Sequence, residues 1–547
     1  MTTADSWKLL VFRDGQRKRA SRELLGGLLK QIESVESLSD FASQFARDEL
    51  IDALLRAGEL ECAVADQQGC HRQAGALSRI TDALAQALVH GSRPRLEAAL
   101  SEFGRDSIPA TLTVSTPEGF CYYALHPLDY VDLLNEHQIE AQQAAVIGIR
   151  SIGTTLSAVV RAWFHGRGVS ATRMTVRPSG HPFDRELLFH HEQRQWVSEQ
   201  LEAAAQFFVV DEGPGLSGSS FLSVAEALVE AGVPPRQIVL LPSSNPDFSK
   251  LLARNAAARW NRFRTLSLKP TRRLPADAGA SVGGGEWRRR VFASQSEWPP
   301  VWGWTERQKH LSTDGKLIFR FDGHGRYGRE VRRRSEIVAI HGWGPRVAAA
   351  GEGFSVSPWL EGMRPREVDR NILIQLARYC AFRAQHFSCD PVPQSDLSHM
   401  AQVNLDRSLG ISRRMELPLE RPVIADARMM PHEWLLSQQN HLIKFDASSH
   451  GDDHFYPGPT DIAWDVAGAI VEWKLQKPDA DLLVDEYWRV SGDRVAIRLE
   501  NYLLAYAVFR MALCLSAAIS LGPGMEKAGF EAAAAGYKTF LGPRAAA

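Results

Sequence analysis

The 547-residue sequence predicts three successive parts: a helical N-terminal region, an α/β unit on a mostly parallel sheet, and an α+β unit. Length is the first observation, since single cores stop growing at about 250–300 residues. The second is a change of texture near Pro109, from helical periodicity to short β-rich runs separated by helices. The third is KPTRRLPADAGASVGGGE, between Lys269 and Glu286, which offers little apolar surface to bury and reads as a joint. The parts accordingly fall at 1–104, 105–268 and 296–547, with 269–295 as linker.

In the first part, DELIDALLRAGELECAVAD and LSRITDALAQALV repeat apolar residues at helical spacing. In the second, TLTVS, CYYAL, AAVIGI, ATRMTV, FFVVD and QIVLLP read as strands, and strands alternating with helices imply a sheet covered on both faces. In the third, KLIFRFDGHGRYG suggests a strand, a glycine turn and a return strand, followed by the charged helix REVRRRSEIVAIHG. Short strands near HLIKFD and long helices complete it. YLLAYAVFRMALCLSAAISLG is interrupted by Arg510 and reads as a buried helix rather than a membrane span. The tail from about Gly529 reads as a last helix.

With 63 basic and 64 acidic residues, no global field attracts nucleic acid or an anionic membrane, so the expected partners are small molecules. The runs QRKR and REVRRR read as solvated faces. Six scattered cysteines without CxxC spacing, and a first segment without the layout of a signal peptide, point to a reduced cytoplasmic protein. The composition leaves room for a homo-oligomer.

FFVVDEGPGLSGSSF carries the strongest chemical signal. Its apolar run suits a buried parallel strand, placing Asp211 and Glu212 at the carboxyl edge where open α/β sheets bind ligands. The glycines free backbone amides, and the serines stand at the start of the next helix, where an anion is favoured. The expected ligand is a phosphate beside hydroxyls that the two acids would hold.

This order of strand, acidic pair, glycine and serine turn, and helix resembles the binding signature of the type I phosphoribosyltransferases, although the turn is about one residue longer and Glu replaces the second Asp. The resemblance implies that Gly215, Ser217, Gly218, Ser219 and Ser220 cradle the 5′-phosphate of phosphoribosyl pyrophosphate while Asp211 and Glu212 act at the ribose. Upstream, AAVIGIRSIGTTLSAVV lies where that family places its pyrophosphate loop, implying Arg150, Ser151, Gly153, Thr154 and Thr155 as its residues, with magnesium between the phosphates. Arg173, Arg177, His181 and Arg185 in MTVRPSGHPFDREL are read as a mobile cover, with a solvated surface as an equal reading for the arginines. Tyr122 and Tyr123 are read as core in preference to a wall for a base.

The third part resembles the aminoglycoside-phosphotransferase or kinase-like family through KLIFRFDG, SEIVAIHG, VSPWLEG and HLIKFDASSHGDDHFYPGPTDIAWDVAG. The resemblance implies an Arg320–Glu336 pair orienting nucleotide phosphates, Asp446 as metal ligand, and Asp461 at a helix start. Asp426 in VIADARMMPHEW stands as the base, with His432 or Glu433 where the family has Asn. HGDDH, with His450 and His454 beside Asp452 and Asp453, is read as a solvated loop in preference to a metal site. Together these readings imply exchange at C1 of a phosphoribosyl group with a base-like acceptor, and ATP-dependent phosphotransfer to a hydroxyl. The alternative is a sensor of such compounds without turnover, which the missing Asn and the altered acidic pair favour.

Overall fold

The computed structural model describes residues 16–103, 108–137, 139–181, 183–268, 273–365, 367–390, 394–453 and 459–545. Helices Ser21–Glu36, Gln44–Ala65 and His71–His90 form from the periodic apolar stretches. Ser43 caps the second by accepting the Ala46 amide, and Gly91 ends the third in the left-handed conformation. Strand Gln16–Ala20, which contains QRKR, pairs antiparallel with Thr111–Ser115.

The next unit is a five-stranded parallel sheet in the order Ser170–Val176, Gln143–Ile149, Gln206–Val210, Ile238–Leu241, Arg264–Thr265. The two-residue period of a strand sorts its side chains. Ala144, Val146, Phe208 and Val210 face Leu50, Leu54, Leu77 and Leu84 of the N-terminal helices, whereas Ala145, Ile147, Phe207 and Val209 face Val197, Leu222 and Val224 on the other side. Helix Ile152–His165 lies on the first of these faces, and the N-terminal helices Gln44–Ala65 and His71–His90 pack over it and share its core. CYYAL is not a strand: Glu118–Cys121 is a short helix, and Tyr122 and Tyr123 follow it at the junction with the last part of the chain.

The α+β part opens with an antiparallel sheet in the order Ala278–Ser281, Lys309–Ser312, Leu317–Phe321, Phe354–Pro358, Ala348–Gly351. This corrects the reading of 269–295 as a linker, because Ala278–Ser281 is the first strand and Val282 and Arg288 are buried. Small residues there reflect close strand pairing rather than a spacer. GHGRYG is not a return strand either; it starts helix Gly325–Ile340. Asp52 of the N-terminal helices holds that start, accepting the Arg326 amide at 2.8 Å, a carboxylate placed on orphan amides at a helix N-terminus. Arg329 of the basic run also pairs with Asp52, and Arg326 just before the run with Glu59, so these arginines tie the α+β part to the N-terminal helices.

Helices Arg370–His386, Ala463–Glu472, Ala496–Ser520 and Met525–Ala545 build the remaining lobe around Tyr379, Trp434, Trp464 and Tyr506. Ala496–Ser520 is long and apolar enough to cross a membrane, yet 72% of its most apolar window is buried in the lobe. Arg510 within it faces Glu472 at 3.3 Å, which accounts for a charge on a core helix. Among the described residues no disulfide joins the six cysteines, and all but Cys389 are buried.

Candidate functional site

Two places in the fold gather chemistry-bearing residues. The first is the carboxyl edge of the parallel sheet. Asp211 directly follows the middle strand, and its carboxylate accepts backbone hydrogen bonds from Glu212 and Gly153, so the two turns singled out in the sequence meet there. Only glycine fits at 153, since a Cβ would lie 2.5 Å from the Val210 carbonyl oxygen. Tyr130 donates to the Asp211 carbonyl at 2.5 Å, the Ser243 amide donates to the Glu212 carbonyl at 2.6 Å, and the Glu212 carboxylate packs on Gly119. Burial pushes the Asp211 carboxyl up to about 7 against those backbone donors.

Beyond the acids, Gly218 takes φ 73° and admits helix Ser219–Glu230. Ser217 and Ser219 are buried and turned toward each other, their hydroxyls 2.9 Å apart, and Ser217 Oγ accepts the Ser219 amide. Gly215 and Leu216 face solvent, with Ser220 half-buried. A phosphate bound here would replace the contact between Ser217 and Ser219.

The upstream loop is arranged differently from the expectation. Arg150 pairs with Asp66 at 2.9 Å. Ser151 holds φ 122°, a strained conformation for a residue with a side chain. Thr154 is buried with its hydroxyl unpartnered, and Thr155 packs against Gly58. Ser151, Thr155 and Arg177 line a cavity of about 270 Å³ shared with Glu59, Cys62 and Asp66. Arg173 is corrected from a mobile cover to a structural cation, since Glu61, Asp82 and Ser78 enclose it. His181 and Arg185 lie on an outward hairpin, Ser179–His181 with Asp184–Glu186.

The raised Asp211 carboxyl gives a pH prediction. The folded state retains a proton that the unfolded chain releases near pH 4, so this group's contribution to stability falls as pH rises from about 4 through about 7. Asp211→Asn should flatten that slope and gain roughly 1–2 kcal/mol at pH 8, after allowance for the solvent that reaches the site. Urea denaturation of both proteins between pH 5 and 8 checks it; parallel slopes would contradict it.

The second place is a cavity of about 460 Å³ between the antiparallel sheet and the helical lobe. Lys309 and Arg320 are cross-strand partners, and both reach Asp446: Lys309 at 3.0 Å and Arg320 through Nη1, while the Arg320 Nε holds Asp322 at 3.0 Å. Burial alone would raise the Asp446 carboxyl, but Lys309 and Arg320 outweigh it and hold the group well below the usual carboxylate range. An ionised carboxylate at the cavity edge is a fitting ligand for magnesium.

Two expected roles are corrected. Glu336 is exposed and does not pair with Arg320, because Val331, Arg334, Ser335 and Val338 form the inward stripe of helix Gly325–Ile340 and position 336 falls off it. Arg334 instead donates to the Ser448 carbonyl at 2.8 Å. Asp426 is buried away from the cavity, accepting from Tyr379 at 2.5 Å with Lys444 at 3.3 Å, so it does not face an acceptor as a base. Lys444 also holds Glu433 at 2.7 Å. Ligand atoms of Asp426, Glu433 and His450 lie within 4.8 Å of one another, but the Lys444 ammonium already sits between the two acids. Asp453 lines the cavity; His454 lies outside the described residues.

Sequence reasoning missed Lys309 and Lys444. Lys444 is a single cation in the apolar strand stretch LIK, which is the signal that would have found it, whereas Lys309 stands in the polar stretch KHLS and carries no such signal. It also missed the junction, where Tyr122 and Tyr123 wall a recess of about 40 Å³ with Glu306, Arg307, Asp446 and Asp453, and the Arg307 guanidinium lies 5.1 Å above the Tyr122 ring.

No protein-family model and no curated protein sequence matches the chain. Among solved structures, it is similar to a choline kinase from Streptococcus pneumoniae at 12% identity, covering 43% of this chain and 90% of that one with a TM-score of 0.28. It is also similar to an ethanolamine kinase from Plasmodium vivax at 10% identity, 46% and 85% coverage and a TM-score of 0.31. A macrolide 2′-phosphotransferase from Brachybacterium faecium matches at 15% identity, 42% and 88% coverage and a TM-score of 0.28. At these values the likeness assigns neither family nor activity, and the functional reading stands on the side chains.

Proposed function

We propose that the last part of the chain binds a nucleoside triphosphate with magnesium in the 460 Å³ cavity and transfers its terminal phosphate to a hydroxyl of a small molecule. The observation that carries this is the convergence of Lys309 and Arg320, from adjacent strands, on the ionised Asp446 at the cavity edge. Phosphoryl transfer asks the protein mainly for positioning and charge stabilisation, which this constellation offers. Lys309 and Arg320 would turn to the phosphates, Asp446 would hold magnesium, and Asp453 is the cavity acid nearest in role to a base for the acceptor. Incubation with γ-labelled ATP, magnesium and a panel of hydroxyl-bearing acceptors should label an acceptor. Saturable ATP binding without labelling would favour the sensor reading, which the Lys444 lock on Asp426 and Glu433 supports.

For the front of the chain we propose a phosphorylated sugar at the turn after Asp211, with exchange at C1 of a phosphoribosyl group as the matching reaction. The contact between Asp211 and the Gly153 amide, which brings the two turns together, supports it. Phosphoribosyl pyrophosphate with magnesium and a panel of bases should release pyrophosphate. The absence of both release and thermal stabilisation would count against exchange and binding alike.

A further inference from the structure

One corner of the interlobe cavity is not used by the phosphate reading above. Trp287, His432, Arg364 and Phe445 line it, and the Arg364 guanidinium lies 5.3 Å from the Phe292 ring and 5.7 Å from that of Phe445. Every other cation lining the cavity has a carboxylate nearby: Lys309 and Arg320 have Asp446, Lys444 and Arg428 have Glu433, and Arg510 has Glu472. Among the described residues, no carboxylate lies within ion-pair distance of Arg364; Glu433 acts on it only from further away. Its Nη1 is shut off from solvent with no acceptor.

A second donor is orphaned in the same corner. Trp287 Nε1 is buried without a partner, while its ring stacks on His432 with centroids 6.3 Å apart and planes at 20°. His432 is neutral, since burial and then Arg364 and Arg428 press its pKa down to about 3, so it offers no charge to offset the guanidinium. Burial likewise lowers Arg364 to about 10. Indole N–H and guanidinium are donors only. Water could accept the hydrogen bonds but would leave a poorly solvated cation without a counter-charge.

We infer that the Trp287–Arg364 corner is a receptor for an oxyanion, a carboxylate or phosphate group carried by the acceptor that shares the cavity with the nucleotide. This rests on the phosphotransfer reading for its partner in the cavity, and it narrows the acceptor to hydroxyl compounds bearing an acid group. Arg supplies a planar fork for such a group, and the two ring faces fix its plane.

The test uses crystals of the full chain soaked in selenate, with and without ADP and magnesium. An anomalous peak should appear within hydrogen-bond distance of Arg364 and Trp287 Nε1, and it should persist when ADP fills the Lys309 and Arg320 end. Arg364→Gln should remove the corner peak, and the phosphate affinity read by thermal shift at constant ionic strength should fall about tenfold or more. Trp287→Phe, which keeps the ring and deletes the donor, should lower the occupancy and serves if Arg364→Gln does not fold. Displacement of selenate by inorganic phosphate before acetate identifies a phosphate-bearing acceptor, and the reverse order a carboxylate-bearing one. No peak in the unsubstituted protein, a peak unchanged by both substitutions, or one that neither anion displaces would overturn the receptor. A corner peak in crystals soaked with ADP and magnesium, with no ADP density at the Lys309 and Arg320 end, would instead sink the nucleotide reading and leave the receptor standing.

Discussion

Arg383→Met should cost about 3–5 kcal/mol of stability, because it leaves the buried Asp465 without its cation. Arg383 is fully enclosed; it donates to the Ala447 carbonyl at 2.6 Å and the Ile424 carbonyl at 2.7 Å, and lies 3.4 Å from Asp465 and 3.8 Å from Asp426. Those carbonyls belong to the two segments that carry Asp426 and Asp446, so one guanidinium holds both arms beneath the cavity. Methionine replaces the stem volume but none of the donors. The pH dependence separates this from a packing defect. Asp465 is raised to about 6, by burial first, with Arg383 opposing. A carboxyl raised on folding contributes less stability as pH rises above about 4, so removing Arg383 should enlarge the deficit between pH 5 and 8. Denaturant midpoints at the two ends of that range measure it; a deficit independent of pH would point to packing alone.

Asp446→Asn should lower phosphate transfer roughly 10³-fold or more, since the metal's stabilisation of transition-state charge amounts to several kcal/mol. Asparagine keeps the shape and one acceptor oxygen but loses the charge that would hold magnesium. The fold should survive, because Lys309 retains Glu306 at 3.0 Å and Arg320 retains Asp322 at 3.0 Å. An unchanged rate of labelled-phosphate transfer, in a protein that still melts cooperatively, would remove Asp446 from the mechanism.

The parts of this architecture visible in the sequence are those governed by local pattern. FFVVD and AAVIGI became the central strands because unbroken apolar runs suit a sheet buried on both faces, and Asp211 stands at the end of such a run, where a charge must emerge. What escaped depends on contacts far apart in the chain. Asp52 capping helix Gly325–Ile340, Ala278–Ser281 joining the small sheet, and Lys444 occupying the ground between Asp426 and Glu433 leave no periodic trace. Glu336 was misplaced because its role depended on helix phase, where one residue turns a side chain by about 100°. Asp426 was misread because a buried ion pair and a catalytic carboxylate look the same in one dimension. The separation of residues 1–104 from the sheet they cover failed for a related reason, since apolar stripes show that a face is buried but not against what.

The claim beneath the rest is that the Lys309, Arg320 and Asp446 constellation is a resting triphosphate and metal site. The most direct measurement is a crystal structure of the full chain with a non-hydrolysable ATP analogue and magnesium. The prediction is triphosphate density against Lys309 and Arg320, with the metal on Asp446 and the resting ion pairs opened. Intact Lys309–Asp446 and Arg320–Asp446 contacts with the analogue bound elsewhere, or nowhere, would contradict it.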